Sequence, residues 1–170
     1  MKKYLVIGNP IEHSLSPELH NYWIKNNVIK ATYEKMKITN VQIKNLISEI
    51  KNGKINGLNI TVPFKQEVIP YLDHLSDEAN KTQSVNTILL KDDKTVGHNT
   101  DIEGFEYSVK FNKIDLKNKN IFIMGAGGVV PSIIHALNKM QVSNITISNR
   151  TKSKAENLKS LFEKVKVIDW

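Results

Sequence analysis

Short runs of β-branched and aromatic residues alternate along this chain with stretches whose apolar positions recur every three or four residues, the periods of strand and helix. In the first hundred residues Tyr4–Ile7, Thr32–Ile38 and Leu58–Val62 read as strands, the last halted by Pro63. Pro17–Asn27 reads as a helix with Ser16 at its N-cap and Pro17 at the first helical position. Val41–Lys51 carries apolar residues at 43, 46, 47 and 50, a helical stripe that Asn52-Gly53 ends. Lys65–Leu72 and Asp77–Gln83 read as short helices, and Val85–Lys91 with Lys94–His98 as a hairpin around Asp92-Asp93. Asp101–Phe111 predicts a further helix, and Lys113–Asn120 a polar connection.

The rhythm then becomes regular: strand Ile121–Met124, glycine turn 125–128, a helix to about Met140, strand Ile145–Ser148, helix Lys152–Glu163 and strand Val165–Ile168. This βαβαβ alternation predicts a parallel sheet with right-handed crossovers. It is half of a six-stranded dinucleotide-binding fold, which takes a second βαβαβ unit. The expectation is therefore an α/β chain in two parts, an α/β domain over 1–101 and the first βαβαβ half of a Rossmann-type domain over 102–170, truncated where the second half begins.

Composition changes this picture little. The chain has 170 residues, 40% of them hydrophobic and 24% charged, the balance of a folded globular protein. No apolar run approaches the roughly 20 residues of a membrane span. The N-terminal apolar run has no cleavage site and reads as a first strand. Zero cysteines exclude disulfides, thiolate nucleophiles and cysteine-ligated zinc. The net charge of +7 comes from 24 Lys and Arg against 17 Asp and Glu, and only Arg150 among the cations is arginine. Nucleic-acid binders cluster charge and use arginine forks; here the lysines are spread, so a solvated surface is expected rather than a nucleic-acid or membrane partner. Arg150 is the cation that calls for a reason.

Gly125-Ala126-Gly127-Gly128-Val129-Val130 follows a strand and opens a helix. The first glycine allows a tight turn; the second lets backbone approach a pyrophosphate held at the helix N-terminus. Val130 stands where the fingerprint usually has Gly or Ala, so helix–strand packing must differ. An NAD-binding domain places a carboxylate about 20 residues on, to accept from the ribose 2′-hydroxyl. This chain has Asn149-Arg150-Thr151, with Lys152 and Lys154 close behind. A carboxylate would repel a 2′-phosphate, whereas a guanidinium, a hydroxyl and an ammonium would hold one. The cofactor expected is NADP(H).

In the first half, Ser14-Leu15-Ser16 puts two hydroxyls at a helix start, suited to a carboxylate. Asn59 and Thr61 share one face of a strand end by the period of two, and Lys65 follows just past it. Asn86 lies in Ser84-Val85-Asn86-Thr87, and Asp101 at a helix start in Asn99-Thr100-Asp101. Each has a plain structural reading: helix caps for Ser16 and Asp101, turn residues for Asn59 and Asn86, surface charge for Lys65. Jointly they describe a pocket for a polyhydroxylated carboxylic acid with a Lys/Asp pair. His13, His20, His74, His98 and His135 show no close ligand spacing, so no metal is expected. Tyr33-Glu-Lys-Met-Lys37 matches a Tyr-x-x-x-Lys spacing, but lies on a strand upstream of the glycine turn and is set aside as coincidence.

Gly8-Asn9-Pro10-Ile11-Glu12-His13-Ser14-Leu15-Ser16-Pro17, Gly57-Leu58-Asn59-Ile60-Thr61-Val62-Pro63-Phe64-Lys65, Val85-Asn86-Thr87, Asn99-Thr100-Asp101, Gly125-Ala126-Gly127-Gly128 and Asn149-Arg150-Thr151 together resemble the shikimate dehydrogenase family. The motifs are ordered and span essentially the whole chain. The resemblance implies a substrate domain followed by an NADP-binding domain, and reversible reduction of 3-dehydroshikimate to shikimate in aromatic amino-acid biosynthesis. It implies a cytoplasmic enzyme, monomer or homodimer, with a small-molecule substrate.

Carried over motif by motif, the resemblance implies that Ser14, Ser16 and Thr61 hold the substrate carboxylate. Asn59, Lys65, Asn86 and Asp101 would contact ring hydroxyls. Lys65 would be the acid–base residue, with Asp101 orienting it. Gly125, Ala126, Gly127, Gly128 and Val129 would cradle the pyrophosphate, and Asn149, Arg150, Thr151 and Lys154 surround the 2′-phosphate. Ile102 replaces the glycine usual after Asn-Thr-Asp, and Ser84 the alanine usual before Val-Asn. Family members are also around a hundred residues longer, so the expectation is a chain that holds parts of its ligands without turnover. The alternatives are a quinate/shikimate dehydrogenase of broader specificity, a non-catalytic ligand-binding fragment and a lysine-rich nucleic-acid binder.

Overall fold

The apolar alternation of the first hundred residues builds one mixed sheet. In the computed structural model, which describes residues 1–170, the chain divides into two units, Met1–Asn99 and Thr100–Trp170. The first contains β1 (Lys2–Gly8), α1 (Ser16–Asn26), β2 (Ala31–Lys37), α2 (Ile43–Lys51), β3 (Gly57–Ile60), β4 (His74–Leu75), α3 (Asp77–Thr82), β5 (Thr87–Lys91) and β6 (Lys94–His98). The six strands are ordered β2-β1-β3-β5-β6-β4. β1 pairs parallel with both β2 and β3, and the β5–β6 hairpin is antiparallel, joined to β3 in antiparallel register. Asp92 and Asp93 both take positive φ, 49° and 58°, the primed turn whose twist suits a two-residue hairpin loop.

β1 is covered on both faces, and its period of two sorts the coverings. Leu5 and Ile7 join the main core with Leu58, Ile60 and Ile88 and with Ile43, Leu46, Ile47 and Ile50 of α2. Each such side chain contributes about 1.5–3 kcal/mol by burial. Val6 faces the other way, packing with Ile11 and Tyr33 in a smaller cluster that Ile24 of α1 touches. The site lies on this second face.

Two local expectations are corrected. Lys65–Leu72 is not a helix: turns lead to one 3-10 turn at Ile69–Tyr71. Pro70 has no N–H to extend a helical ladder, and the chain instead winds around buried Phe64. Ser16 is not the N-cap of α1 but its first residue; Leu15 takes the cap position and no side chain caps the helix.

The second unit contains α4 (Asp101–Phe111), β7 (Asn120–Met124), α5 (Val130–Lys139), β8 (Asn144–Ser148), α6 (Lys152–Leu161) and β9 (Val165–Ile168). The strands form an all-parallel sheet, β7-β8-β9. Ile145 and Ile147 of β8 pack with Val130, Ile134 and Leu137 of α5 and with Ala155 and Leu158 of α6. Val130, where a small residue was the norm, is thus one of the buried core residues. α6 ends two residues sooner than its polar pattern suggests, because Phe162 leaves the helix in an extended conformation, φ −138°, and is buried. Glu106 of α4 meets Lys139 of α5 at 2.6 Å, with its side chain only 15% exposed. No helix is long and apolar enough to cross a membrane.

Candidate active site

The loop between β1 and α1 positions the two serines. Ser14 N–H donates to the Ile11 carbonyl at 3.0 Å, and Ser16 N–H to Ser14 Oγ at 3.4 Å. Since Ser16 does not cap its helix, its hydroxyl is not committed to backbone there. Ser14, Ser16 and Thr61 line one cleft of about 270 Å³ with His13, Val6, Pro10 and Ile11. The residues expected to hold a carboxylate are therefore brought together, and His13, which spacing alone did not single out, joins them.

The loop is anchored at Glu12. Its carboxylate meets Lys37 at 2.8 Å and accepts the Ile11 N–H at 2.9 Å, while Lys35 Nζ donates to its carbonyl. The Lys37 hydrogen bond, then the backbone N–H groups of Glu12 and Ile11, pull its pKa down to about 2. Thr61 is fixed opposite by its N–H on the Ile7 carbonyl at 2.9 Å. Gly8 permits this approach: a Cβ there would lie 2.6 Å from Thr61 Cγ2 and 3.0 Å from Ile11 Cδ1.

Past Thr61, buried Phe64 pins the turn that presents Lys65. The Lys65 carbonyl accepts the Val85 N–H at 2.8 Å, tying it to the segment bearing Asn86. Asn86 bridges two strands through backbone, its N–H to the His98 carbonyl at 3.0 Å and its carbonyl to the Ile60 N–H at 2.8 Å. Ser84 is fully buried, and its carbonyl accepts from Asn99 Nδ2 at 3.0 Å. Asn99 also donates to Thr82 Oγ1 at 3.0 Å, so this buried amide braces the loop from below. Asn59 is a strut within the sheet: its Nδ2 donates to the Asn86 carbonyl and Thr87 Oγ1, and its Oδ1 accepts from the Tyr33 phenol. Thr87 and Asn99 stand in the quoted motifs without a role of their own, and Tyr33 was set aside with its Tyr-x-x-x-Lys spacing; their supporting hydrogen bonds emerge only once the strands are paired.

In the second unit, Asp101 is the first residue of α4, with Thr100 at the cap and Glu103 also in the first turn, favourable for a helix dipole. Ile102 behind it is fully buried. The glycine turn sits at the end of β7, where the pairing of Met124 with Ser148 brings it beside the end of β8. Gly125 has φ +110°, a conformation that L side chains rarely adopt, and its N–H donates to the Ser148 carbonyl at 2.8 Å. A Cβ on Gly125 or Gly127 would meet open space. Asn149 brackets the turn, accepting the Ala126 N–H at 3.0 Å and donating to the Thr151 carbonyl at 2.7 Å. Gly128 and Val129 lead into α5, with Val129 in its cap position. Arg150, Thr151 and Lys154 are exposed, whereas Lys152 pairs with Asp169 at 2.6 Å.

A mixed sheet carrying a hydroxyl-lined cleft at a helix start, and a parallel βαβ unit opening on a glycine turn, define a two-unit α/β protein of the dinucleotide-binding class. The profile described as the shikimate dehydrogenase substrate binding domain matches residues 6–88, and that described as shikimate / quinate 5-dehydrogenase matches 108–169. The chain belongs to the shikimate dehydrogenase family. It is 56% identical over 169 residues to a shikimate dehydrogenase (NADP(+)) of Pelagibacter ubique, covering 99% of this chain and 64% of that relative. It is 35% identical to the enzyme of that name from Caldicellulosiruptor saccharolyticus, covering 100% and 63%. Among solved structures, shikimate dehydrogenase from Aquifex aeolicus superposes with a TM-score of 0.91 at 38% identity, covering 99% of this chain and 62% of that one. The Thermus thermophilus enzyme, solved in complex with NADP(H) and shikimate, gives a TM-score of 0.87 at 29% identity, covering 99% and 63%. The chain thus spans just under two thirds of the length of these relatives.

Proposed function

We propose that this chain carries the substrate- and cofactor-recognising residues of an NADP-dependent shikimate dehydrogenase, reversibly reducing 3-dehydroshikimate to shikimate. The observation that carries the reading is the cleft that gathers Ser14, Ser16 and Thr61 at the start of α1. Three hydroxyls can each donate to a carboxylate, and the small volume, about 270 Å³, suits a single carboxylate-bearing end.

The second unit fits NADP(H): a positive-φ glycine turn with open space above it, and Arg150, Thr151 and Lys154 exposed beside the end of β8. The cofactor supplies the hydride. Lys65 delivers a proton to the carbonyl oxygen that becomes the alcohol, and in the reverse direction neutral Lys65 accepts it. Its positive charge also stabilises the developing alkoxide. Asp101, the first residue of α4, offers a carboxylate that accepts from a hydroxyl. Asn86 supplies a further polar contact. The same reading places the protein in the cytoplasm, as a monomer or homodimer.

The test has two arms. Wild-type chain titrated with shikimate should show saturable binding, weakened at least about tenfold in Ser16→Ala, a loss of the order of one charge-assisted hydrogen bond. In a form of the protein that turns over, Lys65→Ala should lower kcat for NADPH-dependent reduction of 3-dehydroshikimate by about a hundredfold or more with shikimate affinity nearly kept. Absence of shikimate binding by the wild-type chain would sink the reading.

A further inference from the structure

The cleft at the start of α1 has an apolar wall, Val6, Pro10 and Ile11, and a polar one, His13, Ser14, Ser16 and Thr61. Ser14 Oγ accepts the Ser16 N–H. The hydroxyls of Ser16 and Thr61 and the exposed imidazole of His13 join no hydrogen bond or ion pair within the protein. Of these lining groups only His13 can carry charge. Three hydroxyls can donate to a carboxylate, but none neutralises it, and drawing an anion out of water without a countercharge is costly. The neighbouring charges are committed or lie outside the lining. Glu12 is paired with Lys37 at 2.8 Å, and its pKa of about 2 keeps it ionised near neutrality. Lys35 Nζ donates to the Glu12 carbonyl. On α1, Glu18 lies in the first turn and His20 stacks on Tyr33. Lys65, past Thr61, is not part of the cleft wall.

We propose that His13 is the cationic contact for the carboxylate of the ligand, its imidazolium form supplying the charge that Ser14, Ser16 and Thr61 lack. The inference rests on the shikimate reading above, and deepens it. Imidazole is the side chain whose charge changes between about pH 5 and 8. A carboxylate with an ordinary pKa near about 4 is ionised throughout that range. The protonated ring meets the anion as a countercharge; the neutral ring meets it only as a single N–H donor. Affinity for the carboxylate is therefore highest at the acid end of the range and falls as pH rises through the imidazole titration. By the same linkage, a bound carboxylate favours the protonated ring.

The local backbone suits the role. On one side of His13 the loop is fastened by the Glu12–Lys37 pair, and on the other by the Ser14 N–H on the Ile11 carbonyl at 3.0 Å. The loop is thus held while the ring itself is left uncommitted, at the rim of a cleft whose hydroxyls point to an anion.

The experiment uses the full chain and His13→Gln, which keeps a polar side chain and cannot be protonated. Shikimate and its methyl ester, the same ring without the charge, are titrated from about pH 5.5 to about pH 8.5, across the imidazole range. Wild type should bind shikimate about fivefold more tightly at the acid end than at the alkaline end, the size of one partly exposed ion pair. His13→Gln should give a flat profile at the weaker affinity, and the ester should show no such dependence with either protein. Glu12, Glu18, His20, Lys35, Lys37 and Lys65 are present in both proteins, so the difference between the two profiles belongs to His13. The ring-proton resonances of His13, followed by NMR, should titrate at higher pH with saturating shikimate than without it. A flat wild-type profile, an equal pH dependence in His13→Gln or a His13 titration unmoved by shikimate would overturn the proposal and leave the shikimate reading standing. A wild-type chain that binds no shikimate at any pH ends both.

Discussion

The side-chain amide of Asn21 closes both outward-facing backbone groups of Tyr33: Nδ2 donates to the Tyr33 carbonyl at 2.8 Å and Oδ1 accepts the Tyr33 N–H at 3.0 Å. Tyr33 lies in β2, the edge strand of the six-stranded sheet, so a helix side chain supplies the two bonds that a further strand would make. An open edge is a template for pairing with other chains, and covering it is one of the devices that prevents association.

Asn21→Ala should therefore destabilise the first unit by about 1–3 kcal/mol, the net value of two partly buried hydrogen bonds. It should also raise concentration-dependent association. Urea unfolding and light scattering measure the two effects; a midpoint shift below about 0.5 kcal/mol would show that water replaces the amide without cost.

Gly8→Ala sets a methyl group against Thr61 Cγ2 at 2.6 Å and Ile11 Cδ1 at 3.0 Å, with the Val62 carbonyl at 3.2 Å. Overpacking of this kind costs about 1–3 kcal/mol. Because Thr61 and Ile11 both line the cleft, shikimate affinity should fall along with the melting temperature. Unaltered affinity in a folded variant would place the ligand elsewhere.

Glu12 makes a pH-dependent contribution whose sign is determined. Its folded pKa, about 2, lies below the ordinary 4.5, so the stabilisation is fully present above pH 4.5 and is lost as pH falls towards 2. The difference in unfolding midpoint between wild type and Glu12→Gln should be constant near neutrality and shrink through that window. Asp73, whose carboxyl Lys51 and Thr95 also hold below its ordinary range, titrates in both proteins and leaves the difference unaffected. A difference unchanged between pH 6 and pH 2 would show that the Glu12–Lys37 pair adds nothing to the folded state.

Arg150→Ala should weaken NADP binding by about tenfold or more, the value of a charge-assisted contact to phosphate, while changing NAD binding by no more than about twofold. Fluorescence titration with the two reduced cofactors compares them directly. Equal losses would remove Arg150 from the 2′-phosphate site.

The fold was largely legible in the chain. The stripe at Ile43, Leu46, Ile47 and Ile50 and the βαβαβ rhythm after Asn120 are local periodicities, and the structure keeps both. Local reading went astray where a long-range contact overrode it. Pro70 and buried Phe64 replace an expected helix by turns, and Leu15 rather than Ser16 precedes α1. The two-residue strand β4 went unseen because its partner β6 is some twenty residues away and its own pattern is too short to register.

For the site, residue types and order along the chain sufficed to nominate Ser14, Ser16, Thr61, Lys65, Asn86 and the glycine turn, since motifs are read from neighbours in sequence. Tertiary structure alone decided what those residues do with their hydrogen bonds. It showed Asn59 and Asn149 as brackets holding backbone and side chains in place, Lys152 turned to Asp169, and Tyr33 donating to Asn59. The physical reason is that a hydrogen bond's direction depends on which single proton or lone pair faces it across strands 26 to 28 residues apart, information no local pattern contains.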